Sequence, residues 1–251
     1  MSRITFEDIY VDGTKWSEDQ RKVIYLTSNQ PLQFSSNTWF YKMMPSMNQW
    51  LEDINVQQRL HTQQGSNHLS FYFPENEPLT QQWIDFIQER GFELGLMELY
   101  VVEGEDLSKL PQNQQVEIQH VSEQNIEDYL KIYQYFAQPF GESYAIASAQ
   151  HIRAYYENDI PQRLIAYINQ QPVGIVDLIV SMKSIEIDGF GVLETYRHQG
   201  VGSTIQAYIG EVAEKKPVIL VADGEDTAKD MYLKQGYTFL GYRYQILKEN
   251  I

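Results

Sequence analysis

Between Ile185 and Thr204 the chain reads IEIDGFGVLETYRHQGVGST: a strand-like run, an arginine, two glycines two residues apart, then a helical stripe. The stripe is Val201, Ile205, Tyr208, Ile209 and Val212. A chain that passes from strand to helix through bare glycines either makes a tight turn or exposes backbone amides. The first N–H groups of a helix have no internal acceptors, and its dipole puts partial positive charge there. Such an end suits a phosphate. Arg197 stands ahead of it, and Ser203 and Thr204 stand just inside. The stretch is not a P-loop, because G-x-x-x-x-G-K-[ST] is absent, and it is not G-x-G-x-x-G either.

The elements around it fix the fold class. After a run without apolar period, EGEDLSKLPQNQQ (103–115), the strand-like segments VEIQHV, RLIAYI, PVGIVDLIV and IEIDGFGV follow, with a helical stripe after the first. PVILVAD (217–223) reads as a strand buried on both faces, AKDMYLK as a short helix ending at Gly236, and TFLGYRYQIL as the last strand. Interleaved strands and helices predict an α/β (α+β) mixed sheet. The polar run reads as a linker, which sets an N-terminal domain at 1–102, the linker at 103–115 and a C-terminal domain at 116–251. In the first of these, Met47, Trp50, Leu51 and Ile54 mark one helix and Leu79, Trp83, Phe86 and Ile87 another, with the strand HLSFYF between. An internal repeat links the two domains: residues 70–100 echo residues 220–247 as strand, acidic turn, short helix, Gly-aromatic pair and strand.

Composition removes several function classes. Nineteen basic residues against 34 acidic ones give a net charge of −15, which repels nucleic acid phosphates at long range. The chain has no cysteine, so disulfides, thiolate metal sites and an acyl-cysteine are excluded, and a reducing compartment fits. The five histidines are scattered without metal spacing. The N-terminal stretch MSRITFEDIYVDGTKW lacks the layout of a signal peptide, and no apolar run approaches the ~20 residues that span a bilayer. The expected setting is the cytoplasm, with no nucleic acid, membrane or metal as partner.

VLETYRHQGVG (192–202) resembles the signature of the GNAT acyltransferases, V-x-x-x-x-[RQ]-x-x-G-x-[GA], and AKDMYLKQGY (228–237) is similar to that family's second signature, A-x-x-x-Y-x-x-x-G-[FY]. Both occur in the family's order, and the resemblance covers about 116–251. It implies a GNAT fold, in tandem with a degenerate N-terminal copy that lacks R-x-x-G-x-G and carries Ile87 where the repeat places Tyr232. It implies acetyl-coenzyme A as co-substrate, held by Phe190, Gly191 and Val192 and by Arg197, His198, Gln199, Gly200, Val201, Gly202, Ser203 and Thr204. Direct transfer to a primary amine of a small molecule or peptide follows. Gly189–Gly191 is where the resemblance implies a bulge and a splayed strand; two glycines in a crowded sheet are the plainer reading.

Tyr232 is the implied acid. A phenol of pKa about 10 stays protonated at neutral pH and can serve a thiolate of pKa about 8–9. Glu186 and Asp188 share one strand face, opposite Ile185 and Ile187, and are the candidate bases; a solvated strand face is the alternative. Phe140 and Tyr144 fall in the region that shapes the acceptor pocket in this family, where they could equally pack one domain on the other. One departure stands out: Glu225, followed by Asp226, occupies the position of a cofactor-contacting asparagine in many members. A non-catalytic acyl-coenzyme A sensor or interaction module on the same fold, and a nucleotide site at the same loop, are the rival expectations.

Overall fold

The computed structural model describes residues 3–224 and 228–251. Glu225 and Asp226 lie outside the described residues. In chain order the elements are β1 (Lys15–Glu18), β2 (Lys22–Tyr25), β3 (Trp39–Tyr41), α1 (Met47–Gln64), β4 (His68–Tyr72), α2 (Gln81–Gln88), β5 (Glu93–Glu103), α3 (Gly104–Leu107), β6 (Val116–His120), α4 (Ile126–Ala137), α5 (Glu142–Tyr155), β7 (Gln162–Ile168), β8 (Gln171–Val180), β9 (Ile185–Val192), α6 (Val201–Ala213), β10 (Pro217–Asp223), α7 (Ala228–Lys234) and β11 (Thr238–Glu249). The mixed α/β architecture is the one the interleaved pattern predicts.

Two compact units divide the chain differently from the linear split. One gathers the residues up to Leu99 with Leu240–Ile251, and the other gathers Tyr100–Val221 with Ala228–Phe239. Residues 103–115 are not a free linker. Leu107 is fully buried, and a side chain on Gly104 would collide with Ala213 of α6. Backbone packing of this kind leaves no apolar period, which is why the segment looks unstructured in sequence.

In the first unit β2 pairs antiparallel with β1 and β3, β3 runs parallel to β4, and β11 lies antiparallel to β4. Trp50 of α1 is fully buried among Phe71, Phe73, Trp83, Phe86 and Phe92. In the second unit β6, β7, β8 and β9 form an antiparallel meander, and β10 joins β9 in parallel. Ile165, Tyr167 and Ile175 of the meander pack on α4 and α5. The alternating residue Gly174 faces Ile205 of α6 instead, so the helices cover opposite faces.

The repeat is present down to its hydrogen bonds. After α2, Gly91 (φ +69°) is followed by Phe92, whose N–H donates to Ile87 O at 3.3 Å. After α7, Gly236 (φ +93°) is followed by Tyr237, whose N–H donates to Tyr232 O at 3.1 Å. Only glycine adopts that left-handed cap without cost. The pair β3–β4 is parallel, as is β9–β10.

Candidate active site

The site begins with an irregularity in β9. Ile175 of β8 pairs with Gly191 and Asp177 with Asp188, so three steps along β9 oppose two along β8. This is a β-bulge, and Gly189 adopts φ +55° within it. The extra residue changes the alternation. Gly191 faces α4, where a side chain would run into the Phe136 ring at 2.4 Å, whereas the Phe190 ring turns to Gly202 at the start of α6. Pairing of β9 with β10 runs over Ile185–Ile187 against Val218–Leu220, and β9 continues beyond it to Val192. The bulge therefore lies where the two parallel strands part.

The loop that follows is built by its own polar groups. Arg197 Nε donates to Val192 O at 3.3 Å and Gln199 Nε2 to Thr195 O at 2.8 Å; His198 sits at φ +61° and Gly200 at φ +80°. Gly200 is the N-cap of α6, and no side chain caps that helix. The hydroxyls of Ser203 and Thr204 donate to Gly200 O at 3.0 and 2.8 Å. Thr204 is buried, and its oxygen also accepts from Asn113 N at 2.8 Å. Its hydroxyl is engaged within the loop, and the leading amides of α6 receive no side-chain cap. Helix α1 differs. Ser46 Oγ accepts from Gln49 N at 3.3 Å and Gln49 Oε1 from Ser46 N at 2.9 Å, a capping box that already uses those donors.

Asn113 is a site residue the sequence reading missed, because it lies in the supposed linker. Its Nδ2 donates to Gln199 O at 2.8 Å, so together with the Thr204 contact it clamps the loop at two points. Under the acetyltransferase reading proposed below, Asn113→Ala is expected to weaken coenzyme A binding about tenfold, roughly the loss of one or two hydrogen bonds. The melting temperature should stay nearly unchanged. Titration calorimetry checks the first and thermal denaturation the second.

Tyr232 is half-buried on α7, its ring 6.3 Å from that of Tyr100 and 5.5 Å from that of Tyr237. Tyr237 OH donates to Gln206 Oε1 of α6 at 2.7 Å and ties the end of α7 to that helix. Glu186 is buried and Asp188 exposed. Both share the α4 face with Asp177, the cross-strand partner of Asp188. Phe140 is 70 % exposed in the turn between α4 and α5; Tyr144, half-buried, lies 6.3 Å from it edge-on.

Asp177 is the least ordinary group here. Tyr129 OH donates to its Oδ1 at 2.7 Å, and Arg163 Nε stands 3.6 Å from its Oδ2. Burial pushes its carboxyl up to about 7; Arg163 and Tyr129 pull the other way, and Asp188 and Asp159 push upward with burial. Among the described residues no group of three His, Asp or Glu side chains is arranged to hold a metal ion.

Residues 129–237 match the model of the Acetyltransferase (GNAT) family. This stretch of the chain is a GNAT acetyltransferase domain. Residues 4–100 match a domain of unknown function, DUF5613. A functionally unknown conserved protein from Staphylococcus epidermidis ATCC 12228 is 58 % identical, with 99 % of each chain covered and a TM-score of 0.96. A GCN5-related N-acetyltransferase from Kribbella flavida, 16 % identical, has a TM-score of 0.62 over 91 % of this chain and 86 % of its own. A tandem GNAT protein from the clavulanic acid biosynthesis pathway, 9 % identical, has a TM-score of 0.55 over 85 % and 75 %. The latter two likenesses are of fold alone, over 91 % and 85 % of this chain. No protein of curated function matches the sequence. No helix among the described residues is long and apolar enough to cross a membrane.

Proposed function

We propose that this protein is a cytoplasmic acetyl-coenzyme A-dependent N-acetyltransferase that acetylates a primary amine of a small molecule or peptide by direct attack. The observation that carries the reading is the N-terminus of α6. It is capped by a left-handed glycine and by no side chain, at the end of a strand that bulges and parts from its parallel neighbour. These features fit a pyrophosphate on the helix amides and a pantetheine arm along β9.

The residues that would hold the cofactor are Arg197 to Ser203 for the phosphates, with Thr204 and Asn113 holding the loop, and Phe190 to Val192 for the arm. Acetyl-coenzyme A supplies an acyl group activated as a thioester. Backbone N–H groups of β9 beside the bulge would polarise its carbonyl. Tyr232 donates a proton to the departing sulfur. Glu186 and Asp188 present carboxylates on the face from which the amine arrives, and Phe140 and Tyr144 border that approach. In the N-terminal unit, the capped start of α1 and the buried Ile87 in place of Tyr232 fit a copy that keeps the architecture without this chemistry.

Calorimetric titration with acetyl-coenzyme A should give saturable binding near one per chain, and absence of binding at about millimolar ligand would remove the reading. Tyr232→Phe should lower thiol release with an amine panel at least about tenfold while cofactor affinity holds. Equal turnover in that variant would end the acid role. Binding without thiol release from any amine would leave a sensor.

A further inference from the structure

Asp177 is the one charged residue in the apolar run GIVDLIV of β8. Its two oxygens are treated unequally. Oδ1 takes the Tyr129 hydroxyl at 2.7 Å, whereas Arg163 Nε remains 3.6 Å from Oδ2, beyond hydrogen-bond reach. Arg163 is held more closely by Asp159, at 2.7 Å, and its buried Nε and Nη1 have no hydrogen-bond partner. An ion pair built only for stability would close that contact, since an open one forfeits the attraction that offsets desolvation. The neighbour of Oδ2 on β9 carries no side chain. A Cβ on Gly189 would stand 3.9 Å from it, and Gly189 is the residue at positive φ in the bulge. Asp177 thus has one oxygen anchored by a hydrogen bond and one that Arg163 approaches only to 3.6 Å, at the point where β9 leaves its ladder.

We propose that Asp177 receives the proton of the acceptor amine, with Tyr129 and Arg163 as the residues that position its carboxylate. This rests on the acetyltransferase reading above. The acceptor arrives as a primary ammonium and gives one proton to Asp177, from which it passes to solvent. The nitrogen then bonds to the acyl carbon and the carbon–sulfur bond breaks. Sulfur leaves with a proton from Tyr232, and Tyr232 recovers one from the second N–H lost by the nitrogen. The balance is ammonium plus thioester giving amide, thiol and one proton. A carboxyl that titrates near 7 is matched to this work at neutral pH.

The charged and titratable groups facing Asp177 are Arg163 of β7 with Asp159 ahead of it, Asp188 of β9, and Tyr129 and Tyr133 of α4. Tyr144 and Ser148 of α5 lie beside the Tyr133 hydroxyl and act on it electrostatically. Tyr144, expected at the acceptor site, is thereby joined to the same cluster. The rings of Tyr129 and Tyr133 lie stacked at 6.3 Å in the same cluster.

Carbon-13 NMR of aspartate-labelled protein tests this without turnover. In a titration from about pH 4 to about pH 9, one carboxyl should titrate at about 7 and be missing from Asp177→Asn. Butylammonium chloride should lower that midpoint by about one unit, because a bound cation favours the carboxylate. A midpoint in the ordinary carboxylate range, or one that ignores butylammonium, overturns the proposal. Should Asp177→Asn fail to fold, Tyr129→Phe removes one hydroxyl only. Losing that hydrogen bond must raise the midpoint, and an unmoved midpoint also refutes the arrangement. Acetyl-coenzyme A titrated into the same sample separates the two readings. A responsive Asp177 without cofactor binding sinks the transferase reading, whereas bound cofactor beside an unresponsive Asp177 sinks this proposal alone.

Discussion

Gly210→Val is expected to yield protein that no longer folds around α6. A Cβ at Gly210 would lie 2.3 Å from Ser108 N, 2.6 Å from Gly104 O and 2.8 Å from the carbonyl carbon of Leu107. All three are backbone atoms of α3 and its end, and none can rotate aside. The fit is reciprocal. A Cβ on Gly104 would meet Ala213 Cβ at 2.7 Å, Glu214 O at 2.8 Å and Lys216 O at 3.0 Å, and Gly104 N itself donates to Lys216 O at 3.2 Å. Even Gly210→Ala must force the two backbones apart, at a cost of about 3 kcal/mol. For a chain of this size that lowers the melting temperature by roughly 10 °C; valine adds two more methyl groups to the same collision. Because α6 carries the glycine loop at its other end, the proposed acetyl-coenzyme A site should be lost with the fold. Circular dichroism melts measure this, with Gly65→Ala as the contrast. Gly65 has no atom within 4 Å of its Cβ position but sits at φ +86°, so it should lose only about 1 kcal/mol. Equal melting of Gly210→Val and wild type would mean that α3 does not rest on α6.

That contact also explains what the sequence concealed. The segment 103–115 displays acids, a proline and glutamines, and its packing relies on an absent side chain at Gly104 and one leucine, Leu107. No periodicity records such a contact, so Asn113, the clamp on the glycine loop, was passed over with the rest. Strands β1 to β3 were invisible for another reason. They are three or four residues long, and β1 is exposed throughout, too short and too polar for an alternation. The meander β7–β9 was legible because long apolar runs alternate with tight turns, and the bulge because glycines flank Phe190. Asp177 left a signal that composition alone could have raised: a carboxylate in the middle of an otherwise apolar buried strand needs a partner or a purpose. Its Tyr129 and Arg163 partners come from residues 48 and 14 positions earlier in the chain, and only the folded sheet brings them together.

Removal of Leu240–Ile251 is expected to unfold the first unit. Those residues belong to it by packing although they lie at the far end of the sequence. The strand pairs residue by residue with β4, from Gln245 against Tyr72 to Glu249 against His68, and Phe73 N donates to Tyr244 O at 3.0 Å. Ile246 is fully buried in the same core as Trp39, Trp50 and Phe71. Without it the edge of β4 offers unpaired amides beside Leu69 and Phe71, a template for aggregation. Losing one buried isoleucine alone costs about 2–5 kcal/mol, and the ladder goes with it. A fragment ending at residue 102, the boundary suggested by the linear pattern, carries the same defect. The test has a built-in reporter, because the chain's four tryptophans, Trp16, Trp39, Trp50 and Trp83, all precede that boundary. Tryptophan emission of the shortened protein should shift red, toward that of the denatured chain. Native emission from the fragment would show that β4 holds its core without β11. Recovery of the blue emission on adding a synthetic peptide of residues 238–251 would place the defect in the missing strand, since a peptide can restore a ladder and an apolar anchor but cannot repair a chain misfolded elsewhere.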